Sequence, residues 1–364
     1  MNRLVTLVIC LAVALPAAAG AGTAPRKLVR EASRVSGFAV RRPVQTSAVA
    51  APKYRTLYSR AWAREYPSTL RRADSAAYKQ LGLVARAIDV QAPRAWYDVS
   101  AKKVLVQRRP AASRRALVHE VVRALIDQNY GLKRLAGLRT RDRDRWLAAN
   151  AIVNGTAALT SGLRAGTVRG TPLDRFSTLQ RDAGLGPGRA LAAELRYLGG
   201  GKAVVSALQT FPQTTEQLLH VDKFLEREQA RPVPLPSQAG GLHLVSSETF
   251  GELDVRNLLQ AFAVPAAATV AEGWGGGRIA LYGDVAAVVL RWDTPEDAVE
   301  WQAAIPKYVA AAFAGAPSRT CPPLDRCWAT PGGDVAAGIY GTTAVLASGP
   351  NAAAVASQLL SVSR

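Results

Sequence analysis

Residues 113–132 read SRRALVHEVVRALIDQNYGL, and the reading of the fold starts from this stretch. Leu117, Val121 and Leu125 recur every fourth residue, with Val118, Val122 and Ile126 beside them. That spacing predicts a helix with a broad apolar face. Ser113 stands where an N-cap is needed, and Gly131 where a helix stops. Upstream, residues 95–107 read AWYDVSAKKVLVQ. Trp96-Tyr97 and Val104-Leu105-Val106 are strand-like on either side of residues 100–103, which predicts a hairpin. Further upstream, residues 23–55 have weak periodicity and read as a mobile lead-in with a strand near 42–48, and residues 56–92 are largely helical.

Downstream, Asp142 and Asp144 alternate with Arg139, Arg141, Arg143 and Arg145. This reads as a solvated charged turn rather than a calcium loop. A second helix covers about 142–159, a turn falls in 184–188, and helices follow at 189–198 and 201–210. Residues 229–241, QARPVPLPSQAGG, hold three prolines and a Gly pair and mark a domain boundary. After it the pattern changes. Residues 278–292, RIALYGDVAAVVLRW, are two runs around Gly283-Asp284, a hairpin signal. A helix covers 295–313, the runs DVAAGIY and TAVLAS join at Gly341, and 351–360 is a terminal helix. The expected fold class is α+β, a mainly helical domain followed by a small α+β domain with an antiparallel sheet. The expected division is a signal peptide at 1–22, a domain at 23–230, a linker at 231–241 and a domain at 242–364.

The chain has 364 residues, 49% hydrophobic and 20% charged, enough to bury a core in each of two domains. That composition excludes a disordered chain. No apolar run beyond the N-terminus is long enough to span a bilayer, which excludes a polytopic membrane protein. Three Cys and three His exclude a Cys-rich zinc scaffold. The net charge of +19 is uneven. Residues 23–200 carry 34 Lys and Arg against 12 Asp and Glu, and residues 201–364 carry 11 against 15. The basic half could hold an anionic cell-surface polymer, or be a solvated surface with no dedicated partner. No motif for specific nucleic-acid binding accompanies the charge.

Residues 1–22 read MNRLVTLVICLAVALPAAAGAG: one cation, a short apolar run, Pro16, then small residues. This is an export signal, cleaved near Ala19 or Ala21, and it predicts a secreted or extracytoplasmic protein. Ile9 before Cys10 is too large for a usual lipoprotein site. Cys321 and Cys327, six residues apart in an exported chain, are expected to pair.

His119-Glu120-Val121-Val122-Arg123 shares the first His and the Glu of H-E-x-x-H. In that motif two imidazoles on one helix face hold a zinc and the Glu is general base on the zinc-bound water. Arg123 replaces the second His, and a guanidinium has no lone pair for a metal. The plain alternative is a helix-surface His and Glu, with Glu120 or Asp127 pairing with Arg123 at helical spacing.

The surroundings resemble a family of exported bacterial zinc metallopeptidases of the gluzincin type. In that family a tyrosine-aspartate hairpin, here Tyr97-Asp98, precedes L-x-H-E-x-x-H-A-L-x-D-Q-x-x-x-L. Leu117, His119, Glu120, Ala124, Leu125, Asp127, Gln128 and Leu132 match, and Arg123 does not. The family's E-G-x-A motif is represented by Asn154-Gly155-Thr156-Ala157, with Asn154 in place of the third ligand. Thr215-Glu216-Gln217-Leu218-Leu219-His220 with Lys223-Phe224, Gly251-Glu252-Leu253, Gly273-Trp274-Gly275-Gly276 and Trp292-Asp293-Thr294 are similar to further signatures.

The resemblance implies a zincin-like N-terminal domain. Its lost ligands imply no bound metal and a catalytically inactive pseudoenzyme, whose former cleft could take a peptide or protein. The candidate catalytic residues are Glu120, a vestigial general base, and His220, beside the substrate or in structural hydrogen bonding. His119, Arg123, Asn154 and Glu216 line the expected cleft. Two readings compete: an active zinc metallopeptidase with rearranged ligands, drawing on His220 or His243, and a basic envelope-binding protein.

Overall fold

The computed structural model describes residues 21–83 and 92–362. Residues 1–20, most of the expected export signal, and residues 84–91, the end of the expected 56–92 helical stretch, lie outside the described residues.

The helices are α1 (Arg26–Ser36), α2 (Ala51–Glu65), α3 (Ser68–Gln80), α4 (Arg114–Tyr130), α5 (Leu138–Arg141), α6 (Arg143–Ser161), α7 (Pro172–Arg181), α8 (Pro187–Thr210), α9 (Thr215–Leu219), α10 (Val221–Glu226), α11 (Glu252–Ala261), α12 (Ala267–Ala271), α13 (Pro295–Ala312) and α14 (Ala352–Ser361). The strands are β1 (Ala21–Thr23), β2 (Gln45–Val49), β3 (Ala95–Asp98), β4 (Lys103–Gln107), β5 (Gln238–Ala239), β6 (Leu242–Thr249), β7 (Trp274–Tyr282), β8 (Val285–Trp292), β9 (Ser318–Cys321), β10 (Leu324–Thr330), β11 (Gly333–Tyr340) and β12 (Thr343–Gly349). The class is α+β, as the alternation of patterns predicts. Among the described residues, one compact unit takes in 21–61, 92–134 and 157–163, and the other 62–83, 135–156 and 164–362.

The first unit is built on a mixed sheet in the order β1-β2-β4-β3. β2 and β4 are parallel, and β1 and β3 flank them antiparallel. The hairpin read from residues 95–107 is β3-β4, and the strand read near 42–48 is β2; the lead-in at 23–55 is packed rather than mobile, because it contains α1 with Leu28, Val29 and Ala32 buried. Helix α4 packs on β3, β4 and α1. Ser113 caps it by accepting the Ala116 N–H at 3.2 Å, and Gly131 ends it at φ 70°. Both ends were legible because caps depend only on local backbone groups. The helix is more deeply buried than its apolar stripe implies: His119, Glu120 and Asp127 are buried with the Leu, Val and Ile positions. A helix-surface His and Glu, the plain alternative above, does not describe it.

The second unit carries an eight-stranded antiparallel sheet, β5-β6-β7-β8-β12-β11-β10-β9. The two hairpins read from the sequence, β7-β8 and β11-β12, form its centre. The apolar residues of α3, α11 and α13 cover one face, where Trp274, Trp292 and Trp301 are fully buried. Helix α14 covers the other. Thr294 and Asp297 form a capping box at the start of α13. Residues 231–241 run beside this sheet. Arg231 N–H donates to Gly275 at 2.6 Å, Tyr282 Oη donates to Pro236 at 2.8 Å, and Gln238–Ala239 is the edge strand β5. The strands β9 and β10 are additional to the strand-strand-helix order read from sequence. β9 is short and mostly exposed, so it lacks the alternation that marks a strand.

The charged turn at 139–145 requires a correction. Arg139, Arg143 and Asp144 are buried, not solvated. Arg139 donates to Asp74 at 2.8 Å and pairs with Glu248, while Arg143 forks onto Asp254. These carboxylates are 65 to 111 residues away in sequence, so no local pattern could reveal them. A buried charge is tolerable only with such partners.

Cys321 and Cys327 are disulfide-bonded and tie β9 to β10. Thiol labelling of native, unreduced protein should find neither. Cys321→Ser should lower the unfolding free energy by roughly 2 kcal/mol, the loop entropy of so short a bridge. Urea denaturation would measure it, and stoichiometric labelling of both sulfurs would contradict the bond.

Candidate functional site

Helix α4 presents His119, Glu120 and Arg123 within the first unit. Glu120 has both carboxylate oxygens engaged. Oε1 lies 2.9 Å from His119 Nδ1. Oε2 accepts the Arg123 guanidinium at 2.9 Å and the Tyr97 backbone N–H at 2.7 Å. Of the two acids that could have paired with Arg123, it is Glu120 that does so.

The Tyr97 contact follows from strand register. Gln107 N–H donates to Arg94 C=O at the end of the β3-β4 pair, and Tyr97 faces Val104. Antiparallel alternation therefore turns the Tyr97 N–H away from β4, toward the free edge of the sheet. Glu120 takes up that N–H and so closes the edge of β3 at this residue.

Glu120 is only 7% exposed. Burial alone would raise its pKa, but Arg123, then His119 and the Tyr97 N–H, outweigh it and hold the group at about 2. Nearby, the Tyr54 hydroxyl and Arg123 Nε are buried without a hydrogen-bond partner among the described residues. Burial, then the Glu120 charge, keeps the Tyr54 hydroxyl protonated well above its usual range.

Two turns beyond Glu120 on α4, Asp127 accepts Tyr97 Oη at 2.6 Å, Lys102 Nζ at 2.7 Å and the Leu132 N–H at 2.7 Å. Gln128 brackets the backbone of Arg41 and Arg42, accepting both N–H groups and donating to the Arg42 carbonyl at 3.0 Å. Asp127 and Gln128 are thus positioning residues for the hairpin and the lead-in. Neither role had a signal in spacing.

Asn154 lies in the second unit. Its amide donates to the Asn150 carbonyl at 2.9 Å, and its side chain packs where a Cβ on Gly184 would come within 2.4 Å.

The second unit gathers the other quoted segments. Thr215 donates its hydroxyl to Asp144 at 2.6 Å and accepts the Leu253 N–H at 3.1 Å. A Cβ on Gly251 would lie 1.8 Å from Asp144 Oδ1, so only glycine fits there. Burial pushes Asp144 up to about 8, against its two bonds from Thr215. His220 Nε2 lies 2.9 Å from Glu252 Oε1, and that contact raises its pKa.

Glu216, Glu228 and Asp293 each offer an oxygen within 4.8 Å of one another, the one group among the described residues that could surround a cation. The Lys223 ammonium already stands among them, 2.7 Å from Asp293 and 3.2 Å from Glu228, and bonded to Glu216. Burial nevertheless pushes Glu216 up to about 7. The structure thus brings His220, Glu216 and Lys223 of one segment into a polar cluster with Glu252 and Asp293 from two others. Within the first unit, His119, Glu120 and Arg123 form a cluster of their own on α4.

Residues 241–358 match the model of a family described as a domain of unknown function, DUF8575. That span runs from the start of β6 into α14 and does not include α4. No curated protein and no solved structure matches the chain.

Glu120 has a lowered pKa, so its ionised form stabilises the fold above about pH 4.5, and that contribution is lost as pH falls toward 2. Glu120→Gln should therefore cost about 3 kcal/mol near neutrality, with the gap from wild type narrowing through that window. Urea midpoints across the range measure it, and a gap independent of pH would count against the pairing. Lys223→Met should cost on the order of 3 kcal/mol, because it leaves three carboxylates facing one another. Thermal unfolding at neutral pH reads this directly, and an unchanged midpoint would contradict it.

Proposed function

We propose that this chain is an exported, metallopeptidase-like pseudoenzyme that binds a peptide or protein and has no catalytic zinc. The reading rests on the sequence resemblance, and the state of Glu120 is the observation that supports it. A general base on a metal-bound water needs a free oxygen and a pKa not far below neutrality. Glu120 has both oxygens in use. The Arg123 guanidinium and its other partners hold its pKa well below that of an ordinary carboxylate, so it is a poor proton acceptor.

Arg123 supplies the countercharge. It stands at the position the family motif gives to the second His, where a permanent cation disfavours a dication. Asn154, at the position of the third ligand, is a neutral amide and a poor zinc ligand. Of the other two imidazoles, His220 is engaged by Glu252, and His243 is exposed on β6 with Gln238 Nε2 3.2 Å from its ring, both in the second unit. Export rests on residues 1–22, and the Cys321–Cys327 bond suits an oxidising compartment.

Metal analysis of the purified protein, run beside hydrolysis of an unstructured peptide, tests this. The expected result is less than one zinc per chain and no hydrolysis. Arg123→His would rebuild two imidazoles four residues apart on α4 and should create zinc binding detectable by calorimetry. One tight zinc in the wild type, with chelator-sensitive and Glu120-dependent cleavage, would overturn the proposal in favour of a working peptidase.

A further inference from the structure

We infer that the break in α8 is a docking tip for an anionic membrane surface. This inference stands apart from the pseudoenzyme reading and uses none of its residues. Helix α8 departs from helical geometry at Gly199 (φ −140°, ψ 18°) and Gly200 (φ 62°, ψ −154°). The second of these conformations is open to glycine and strained for other residues. The helix is therefore two segments meeting at an apex, matching the two helices read at 189–198 and 201–210. Each segment is anchored by buried side chains, Leu191 and Leu195 before the apex and Val204 and Leu208 after it.

Every residue from 196 to 202, Arg-Tyr-Leu-Gly-Gly-Gly-Lys, is exposed. A Cβ added to Gly200 or Gly201 would meet nothing within 4 Å, so the apex stands clear of its neighbours. Tyr197 is 89% exposed and Leu198 55%. Among the described residues, these are the only two exposed large hydrophobics adjacent in sequence. Single scattered exposed apolar residues are ordinary, whereas an adjacent aromatic and aliphatic pair on a projecting turn offers a combined apolar surface for contact.

The charges at the tip select the occupant. Arg196 and Lys202 bracket the apolar pair, and the only acid in α8 is Glu194. An aromatic-aliphatic pair between cations suits a lipid interface with negative headgroups. There a Tyr ring lies at headgroup level, a Leu side chain reaches the acyl boundary, and Arg and Lys meet the phosphates. The net charge of +19 adds long-range attraction to such a surface.

Co-sedimentation of the purified protein with phosphatidylcholine vesicles, with and without phosphatidylglycerol, tests the inference. Wild-type protein should bind the phosphatidylglycerol vesicles, and salt should weaken the binding. The double variant Tyr197→Ser with Leu198→Ser should reduce partitioning by roughly tenfold. Arg196→Gln with Lys202→Gln should reduce it by roughly fivefold per cation. Arg55→Gln with Arg60→Gln removes two exposed cations from α2 and should leave binding within about twofold of wild type. Circular dichroism would show all three variants folded. Three results would overturn the proposal. One is failure of the wild type to bind, a second is wild-type binding by the serine variant, and the third is an equal loss in the α2 control, which would mean diffuse charge adsorption.

Discussion

The Glu120 carboxylate is buried on α4, and a buried charge persists only when its neighbours supply what water no longer does. Three groups do so here: a guanidinium one turn along the same helix, the adjacent imidazole, and a backbone N–H from β3. Each contact constrains something larger. The Arg123 pair sets the electrostatics of the α4 face. The Tyr97 contact holds the sheet edge against the helix, and Asp127 repeats the arrangement two turns later through Tyr97 and Lys102.

The same constraint shapes the second unit. Arg139 and Arg143 are buried against Asp74, Glu248 and Asp254, and Lys223 stands between three carboxylates. Such networks are costly to break and contribute little beyond an apolar core when intact, because desolvation offsets the attraction. Their consequence is geometric. Thr215, Asp144 and Gly251 come so close that no Cβ is accommodated at residue 251. His220 is held by Glu252 at the end of α9. Segments that look like separate signatures in the sequence are in this unit parts of one hydrogen-bonded assembly.

Chemically, both oxygens of the Glu120 carboxylate are engaged. A carboxylate that accepts three contacts and sits at a pKa of about 2 can hold a shape or a countercharge, but is a feeble base. That distinction separates the two metallopeptidase-like readings more sharply than the substitution at residue 123 alone. A missing ligand can be replaced from elsewhere, whereas a base already neutralised by an arginine must first be released. The match at residues 241–358 covers β6 to β12 of the second unit's sheet and leaves α4 to be read on its own chemistry.

The amino-acid sequence by itself determined the α+β class, the hairpins β3-β4, β7-β8 and β11-β12, and α4 with both its caps. It also determined the break in α8 and the pairing of Cys321 with Cys327. Each depends on residues a few positions apart: apolar period, turn glycines, a capping hydroxyl, two cysteines six residues from each other. What the tertiary structure decided was where the charges went. Residues 139–145 look like a solvated turn until Asp74, Glu248 and Asp254 arrive from distant positions. Likewise His119 and Glu120 look like surface residues until β3 and α1 pack around α4. Burial of a polar group depends on partners brought together by the whole fold, and pairings at such separations leave no periodic trace in the chain.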